Sequence, residues 1–214
     1  MLRLEGYEWA THQPLIRAVM ELYKPLYVLE LGPGIYSTPI FLEYKIKYKA
    51  IEHNKDWKEF IEKEYSIKVK FHDLRDVVEE DKLSTITVLQ MLDIKDFYES
   101  LKIPAIQPKL LFVDNAMSCR TIAINTLREQ FDLIIYHDHD ASGILNNCYD
   151  RIEYNGFNSY VLSSENTGAC LMVRSDIDKG FDKTQEIIDP YIQLFINKFT
   201  DCKQMSFHGM DSGK

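Results

Sequence analysis

The densest cluster of reactive side chains is His137-Asp138-His139-Asp140, directly after the apolar run Leu133-Ile134-Ile135-Tyr136. A further acid, Asp114, follows a similar run, Leu110-Leu111-Phe112-Val113. Groups just beyond the ends of neighbouring parallel strands share one sheet edge, the edge where open α/β sheets bind ligands. Two chemistries suit these residue types. His137 or His139 can serve as general base, because the histidine pKa lies near working pH. Alternatively, Asp114, Asp138 and His139 can hold a divalent cation that orients a substrate hydroxyl and lowers its pKa. The plain structural alternative is that the run caps the next helix and lines a solvated loop. Successive residues of an extended segment point opposite ways, so at most two of the four can share a target. Arg120, six residues after Asp114, can clamp a substrate carboxylate or phosphate, or pair with Asp114 or Asp138.

A second group lies near the amino end. Residues 26–38 read LYVLELGPGIYST: a short apolar strand, then Glu30, then a turn holding Gly32 and Gly34, then Ser37 and Thr38 as candidate helix caps. Glycines there allow main chain to approach a nucleotide-like ligand, and a helix start offers unpaired N–H groups. Glu52 ends the next strand, about twenty residues after Gly32, the spacing at which βαβ units place an acid for ribose hydroxyls. Asp73 follows a third strand over residues 67–71.

The elements that must position these groups follow from periodicity. Residues 11–24 carry apolar side chains at helical spacing, with Pro14 suited to the first turn. Asn54 can cap a helix whose Trp57, Phe60 and Ile61 share one face, with Trp57 read as core. Residues 88–101, the stretch after Asp114, and a segment carrying Leu145, Cys148, Tyr149 and Ile152 also read as helices. Residues 159–162 and 169–173 are two strands without a helix between them, hence an antiparallel hairpin. Asp189-Pro190 opens a last helix over residues 189–199, and the tail 201–214 is expected to fray.

With 214 residues, 45% apolar and 27% charged, the chain suits one α/β domain spanning 1–214, its core over 26–175. A net charge of −8 and the lack of a basic stripe with interleaved aromatics weigh against nucleic acid as partner. No apolar run is long enough to span a bilayer, and Glu5 and Glu8 do not suit a signal peptide. Cys119, Cys148, Cys170 and Cys202 form no CxxC and suit a reduced compartment, so the cytoplasm is the expected location. The apolar face of the last helix can pack on its own domain or on a second copy, leaving a homo-oligomer open.

Five parallel strands, a closing hairpin, Glu30-x-Gly32-x-Gly34 and Glu52 together resemble the class I S-adenosylmethionine-dependent methyltransferase superfamily over residues 15–175. The narrower pattern is similar to poorly characterised bacterial methyltransferases and to glucuronoxylan-type O-methyltransferases. It comprises residues 30–38, Glu52-His53-Asn54-Lys55-Asp56-Trp57, residues 112–120 and His137-Asp138. The resemblance implies a Rossmann-like seven-stranded sheet in order 3-2-1-4-5-7-6, with strand 7 antiparallel. It further implies Gly32 and Gly34 along the methionine part of the cofactor, Glu30 at its ammonium, Glu52 at the ribose, Asp73 at the adenine amine and Asp114 near the methyl. Tyr36 stands where many members carry a third glycine. Related enzymes often cover the site with a segment before the first helix, here containing Tyr7, Trp9 and His12; exposed packing is the simpler expectation for these three. The expected activity is methylation of a small-molecule or sugar hydroxyl, with Asp114, His137 and Asp138 in the chemistry. A non-catalytic binding protein of the same fold and an NAD(P)-dependent reductase remain the alternatives.

Overall fold

A computed structural model describes residues 10–72, 88–139, 149–165 and 167–210. Its spine is a run of apolar strands that few other arrangements could bury: β1 (Tyr27–Leu31), β4 (Lys109–Val113) and β5 (Leu133–His137), buried at every position. Such strands belong inside a parallel sheet covered on both faces. β1 lies between β2 (Lys47–Glu52) and β4 in parallel register, and β4 pairs β5 in parallel. β3 (Val69–Phe71) flanks β2. The hairpin of β6 (Phe157–Ser164) and β7 (Gly168–Arg174) closes the sheet, with β7 antiparallel to β5.

Alternation along the strands feeds two cores. Val28, Phe112, Ile135 and Leu171 point to the face covered by α1 (Gln13–Tyr23), α2 (Thr38–Glu43) and α6 (Phe181–Lys198). Leu29, Leu111, Ile134 and Met172 point to the other, covered by α4 (Val88–Glu99) and α5 (Met117–Leu127). The helix α3 (Lys55–Tyr65) starts at Asn54, whose side chain accepts the Trp57 N–H at 3.0 Å, and packs its Ile61 beside Ala50 and Val69. Among the described residues, no helix is long and apolar enough to cross a membrane.

Two expectations need correction. Among the described residues the sheet has eight strands, in order 3-2-1-4-5-7-6-8. The extra one, β8 (Met205–Gly209), lies in the tail expected to fray; it pairs with β6 and buries Met205 and Phe207 against the sheet. The last helix begins at Phe181, not at residue 189, and Pro190 sits inside it. Gly180 ends the preceding loop at φ 87°, and the Thr184 hydroxyl donates to its carbonyl at 2.9 Å. Thr184, Ile188, Ile192 and Phe195 then form one buried stripe, which holds the helix across the donor that Pro190 lacks. Of the helix expected around residues 145–152, residues 140–148 lie outside the described residues, and Tyr149–Arg151 is a 3-10 turn.

Candidate active site

The turn after β1 is shaped by a crossing of main chains. Gly32 has φ 80°, and a Cβ on it would stand 2.3 Å from the Asp114 carbonyl oxygen and 2.7 Å from the Asn115 nitrogen. Here glycine is required by close approach of the β4 exit and by backbone conformation. The Gly32 N–H donates to the Ile51 carbonyl, and the Asp114 N–H to the Leu31 carbonyl, so the ends of β1, β2 and β4 are tied together. Gly34 is different: a Cβ there would meet only the Ser37 hydroxyl, at 3.4 Å. The Trp57 indole N–H reaches back from α3 to the Pro33 carbonyl at 2.7 Å. This aromatic residue, read as core from sequence, braces the turn.

Glu30 is completely buried. Its Oε2 accepts hydroxyl hydrogen bonds from Thr38 and from Tyr48, while its Oε1 has no partner among the described residues. Burial is the main force pushing its carboxyl up to about 7, aided by the Asp114 charge and opposed by the hydroxyl donors.

Beside this turn a small, half-open cleft of about 10 Å³ lies at the carboxyl edge of the sheet. Leu31, Ile51, Glu52, His53, His72, Tyr98 and Asn115 line it. Glu52 is 3% exposed, and its Oε1 accepts the main-chain N–H groups of His53 (2.8 Å) and Asn54 (2.7 Å). Two fixed donors thus pin this carboxylate at the cleft. The Asn115 amide donates to the Tyr98 hydroxyl at 2.7 Å, and its own Oδ1 has no partner among the described residues. Asp73 lies outside the described residues. Tyr98, His72 and Asn115 were not singled out from sequence; the apolar spacing of α4 accounted for Tyr98 as core.

Next to Asn115, a buried arginine gathers the ends of β4 and β5. Arg120 Nη2 lies 2.9 Å from Asp114 Oδ1, and its Nη1 lies 2.6 Å from Asp138 Oδ2. Its Nε donates to the Asn115 carbonyl at 2.8 Å. Of the two roles open to Arg120 in the sequence, it takes that of carboxylate partner. Asp138 adopts φ 56°, a left-handed turn out of β5.

His137 is 2% exposed. Its Nε2 meets the Thr11 hydroxyl at 2.9 Å, and its Nδ1 faces Asp114 Oδ1 at 3.5 Å and Asp138 Oδ1 at 3.3 Å. Burial alone would lower its pKa, but the charge and hydrogen bond of Asp114, with Asp138, outweigh this and hold it above the ordinary value. Asp114, His137 and Asp138 therefore form one cluster, as their positions after adjacent strands suggested. Asp114 and Asp138 keep 24% and 34% exposure, so they are its accessible groups.

His12, expected on an exposed segment, is instead buried beside this cluster, its ring 4.6 Å from that of His137 in an edge-on arrangement. Among the described residues, the group spaced to share one cation is His12, Asp114 and His137, whereas Asp114, Asp138 and His139 were the expected set. His139 leaves β5 with its main-chain N–H on the Gly168 carbonyl.

No family model and no curated protein matches the sequence. Solved structures do match in fold. An O-methyltransferase from Bacillus cereus, solved in complex with SAH, superposes with a TM-score of 0.51 at 14% identity, over 76% of this chain and 80% of that one. A protein from Klebsiella pneumoniae assigned as an O-methyltransferase gives 0.53 at 14% identity, over 77% and 80%. A methyltransferase-like protein from Silicibacter pomeroyi gives 0.50 at 12% identity, over 93% and 97%. The chain therefore has the Rossmann-like fold of class I methyltransferases, extended by one edge strand.

Proposed function

We propose that the chain is a methyltransferase that moves the methyl group of S-adenosylmethionine to a hydroxyl of a small molecule or sugar. The observation that carries this reading is the pinned Glu52 carboxylate in a cleft at the carboxyl edge, in a fold shared with an O-methyltransferase solved with SAH. The residues at hand fit the donor. Glu52 offers acceptors for ribose hydroxyls, and the uncrowded Gly34 lets main chain approach the amino-acid portion. The orphaned Oε1 of Glu30 is an acceptor for its ammonium, and Asp73 remains the proposed partner of the adenine amine. Gly32 supports the same cradle indirectly, by letting β1 and β4 converge.

When bound, the donor supplies an electrophilic methyl on a sulfonium, so the protein has to orient the acceptor, exclude water and remove one proton. Asp114 reaches solvent and is the group proposed to meet the acceptor hydroxyl. Behind it, His137 stands 3.5 Å away and Arg120 2.9 Å away, so the carboxylate is held in one orientation. Asp138 shares the same arginine and flanks the acceptor position. Both ring nitrogens of His137 already face protein groups. Its ring therefore acts on the acceptor only through Asp114.

Labelled methyl transfer from the donor to parallel panels of sugar, phenolic and amine acceptors tests this reading. Turnover on hydroxyl acceptors that is lost in Asp114→Asn is the expected result. Transfer confined to amines contradicts the oxygen-acceptor assignment.

A further inference from the structure

Three groups from distant parts of the chain converge behind the cleft. One ligand atom each from His12, before α1, Asp114, after β4, and His137, at the end of β5, lie within 4.8 Å of one another. His12 is 1% exposed, and neither of its ring nitrogens has a hydrogen-bond partner among the described residues. Buried polar atoms are nearly always paired, so an imidazole with both nitrogens orphaned points to a missing partner.

The His137 side of the cluster is arranged in the same sense. Thr11 occupies Nε2, so Nδ1 is the ring nitrogen that faces the Asp114 and Asp138 carboxylates. A divalent ion would there take the place of the proton that otherwise bridges Nδ1 and the Asp114 carboxylate. The Nδ1–Oδ1 separation of 3.5 Å to Asp114 is close to the edge, about 3.4 Å, of a tetrahedron with metal–ligand bonds of about 2.1 Å. The Thr11 hydroxyl then acts as the outer partner that fixes tautomer and ring direction in histidine-bound metals. Charge is also compatible: Asp114 and Asp138 carry two negative charges, against one positive charge on Arg120.

We propose that His12, Asp114 and His137 bind a single divalent transition-metal ion, with a fourth position open along the exposed side of Asp114. Two imidazoles and one carboxylate favour zinc, iron(II) or cobalt over magnesium or calcium, which prefer all-oxygen shells. Three protein ligands and one open position form the arrangement in which a metal polarises a bound oxygen. The site rests on the geometry of this cluster and not on the identity of the methyl donor.

The test uses the full chain, stripped with chelator, dialysed, and titrated with Co²⁺ alone. One equivalent should produce visible ligand-field bands of a low-coordinate nitrogen-and-oxygen site, which stoichiometric Zn²⁺ bleaches. His12→Phe is the informative variant, because a neighbouring aromatic of similar size can fill the space beside Phe112 without an orphaned nitrogen. It should fold as well as the parent by circular dichroism and lose Co²⁺ affinity by roughly 100-fold or more. His137→Ala should lose affinity to a similar degree. A folded parent that takes up no Co²⁺, or Co²⁺ bands that survive in His12→Phe, overturns the proposal. Donor binding without metal binding would remove this site while leaving the methyltransferase reading intact.

Discussion

Residue 32 and Asp114 touch through their main chains, so closely that a Cβ at position 32 would lie 2.3 Å from the Asp114 carbonyl oxygen. The ends of β1 and β4, which carry the residues proposed for donor and acceptor, are therefore joined at one backbone crossing. Gly32→Ala should destabilise the protein by roughly 3 kcal/mol or more, from positive-φ strain and the forced separation of β1 and β4. Gly34→Ala, which meets only Ser37 at 3.4 Å, should stay within roughly 1 kcal/mol of the parent. Denaturant melts of the two variants check this, and equal stabilities would contradict the crossing.

Glu30 makes stability depend on pH. Its folded-state pKa lies at about 7, above the 4.5 of the unfolded chain, so the folded protein holds that proton more tightly. Its contribution is fully present below pH 4.5, falls as pH rises through about 7, and is then flat. The loss amounts to about 3 kcal/mol at full burial. Glu30→Gln keeps an oxygen for the Thr38 and Tyr48 hydroxyls and should flatten this part of the profile. Chemical denaturation from pH 4 to 8 would show it, and parallel profiles for the two proteins would exclude a raised Glu30.

Arg120 has five partners: the Asn115 and His137 carbonyls, the Tyr149 hydroxyl, Asp114 and Asp138. Its truncation to alanine leaves both carboxylates without their counter-ion. Because these are partly exposed, the cost is discounted to roughly 2 kcal/mol from the value for a fully buried pair. Lysine should recover less than half, since one ammonium cannot replace three directed donors. Full rescue by lysine would show that charge alone matters here.

The last strand also admits a direct test. Phe207 packs face to face on Phe181, with ring centroids 5.4 Å apart, whereas Ser206 points to solvent. Phe207→Ala should cost roughly 2–3 kcal/mol, and Ser206→Ala close to nothing. A tail that behaves as frayed would give no difference between them.

These cases also mark where the sequence could be read and where it could not. The runs ending at Glu30, Asp114 and His137 are apolar without interruption, so the central strands and their shared edge followed from pattern alone. Met205 and Phe207 alternate correctly for a strand, but a short alternation among polar residues carries little signal without the β6 edge it pairs with. Pro190 suggested a helix start because proline favours first turns, yet the stripe through Thr184 and Ile188 extends the helix past it. The place of His12 was not legible. The segment before α1 meets His137 across a separation of 126 residues at Thr11, and nothing local to either end encodes that meeting. Gly32 was recognised as necessary, but for ligand approach, whereas the chain it admits is its own.

The decisive measurement is calorimetric titration of the full chain with S-adenosylmethionine, beside the Glu52→Gln variant. Glutamine retains an oxygen for the His53 and Asn54 amides, so the fold should persist while the charged acceptor at the cleft is lost. One donor should bind per chain, with affinity reduced by roughly 10-fold or more in the variant. A parent that binds neither S-adenosylmethionine nor its demethylated product, or a variant that binds as tightly as the parent, would contradict the assignment of this cleft.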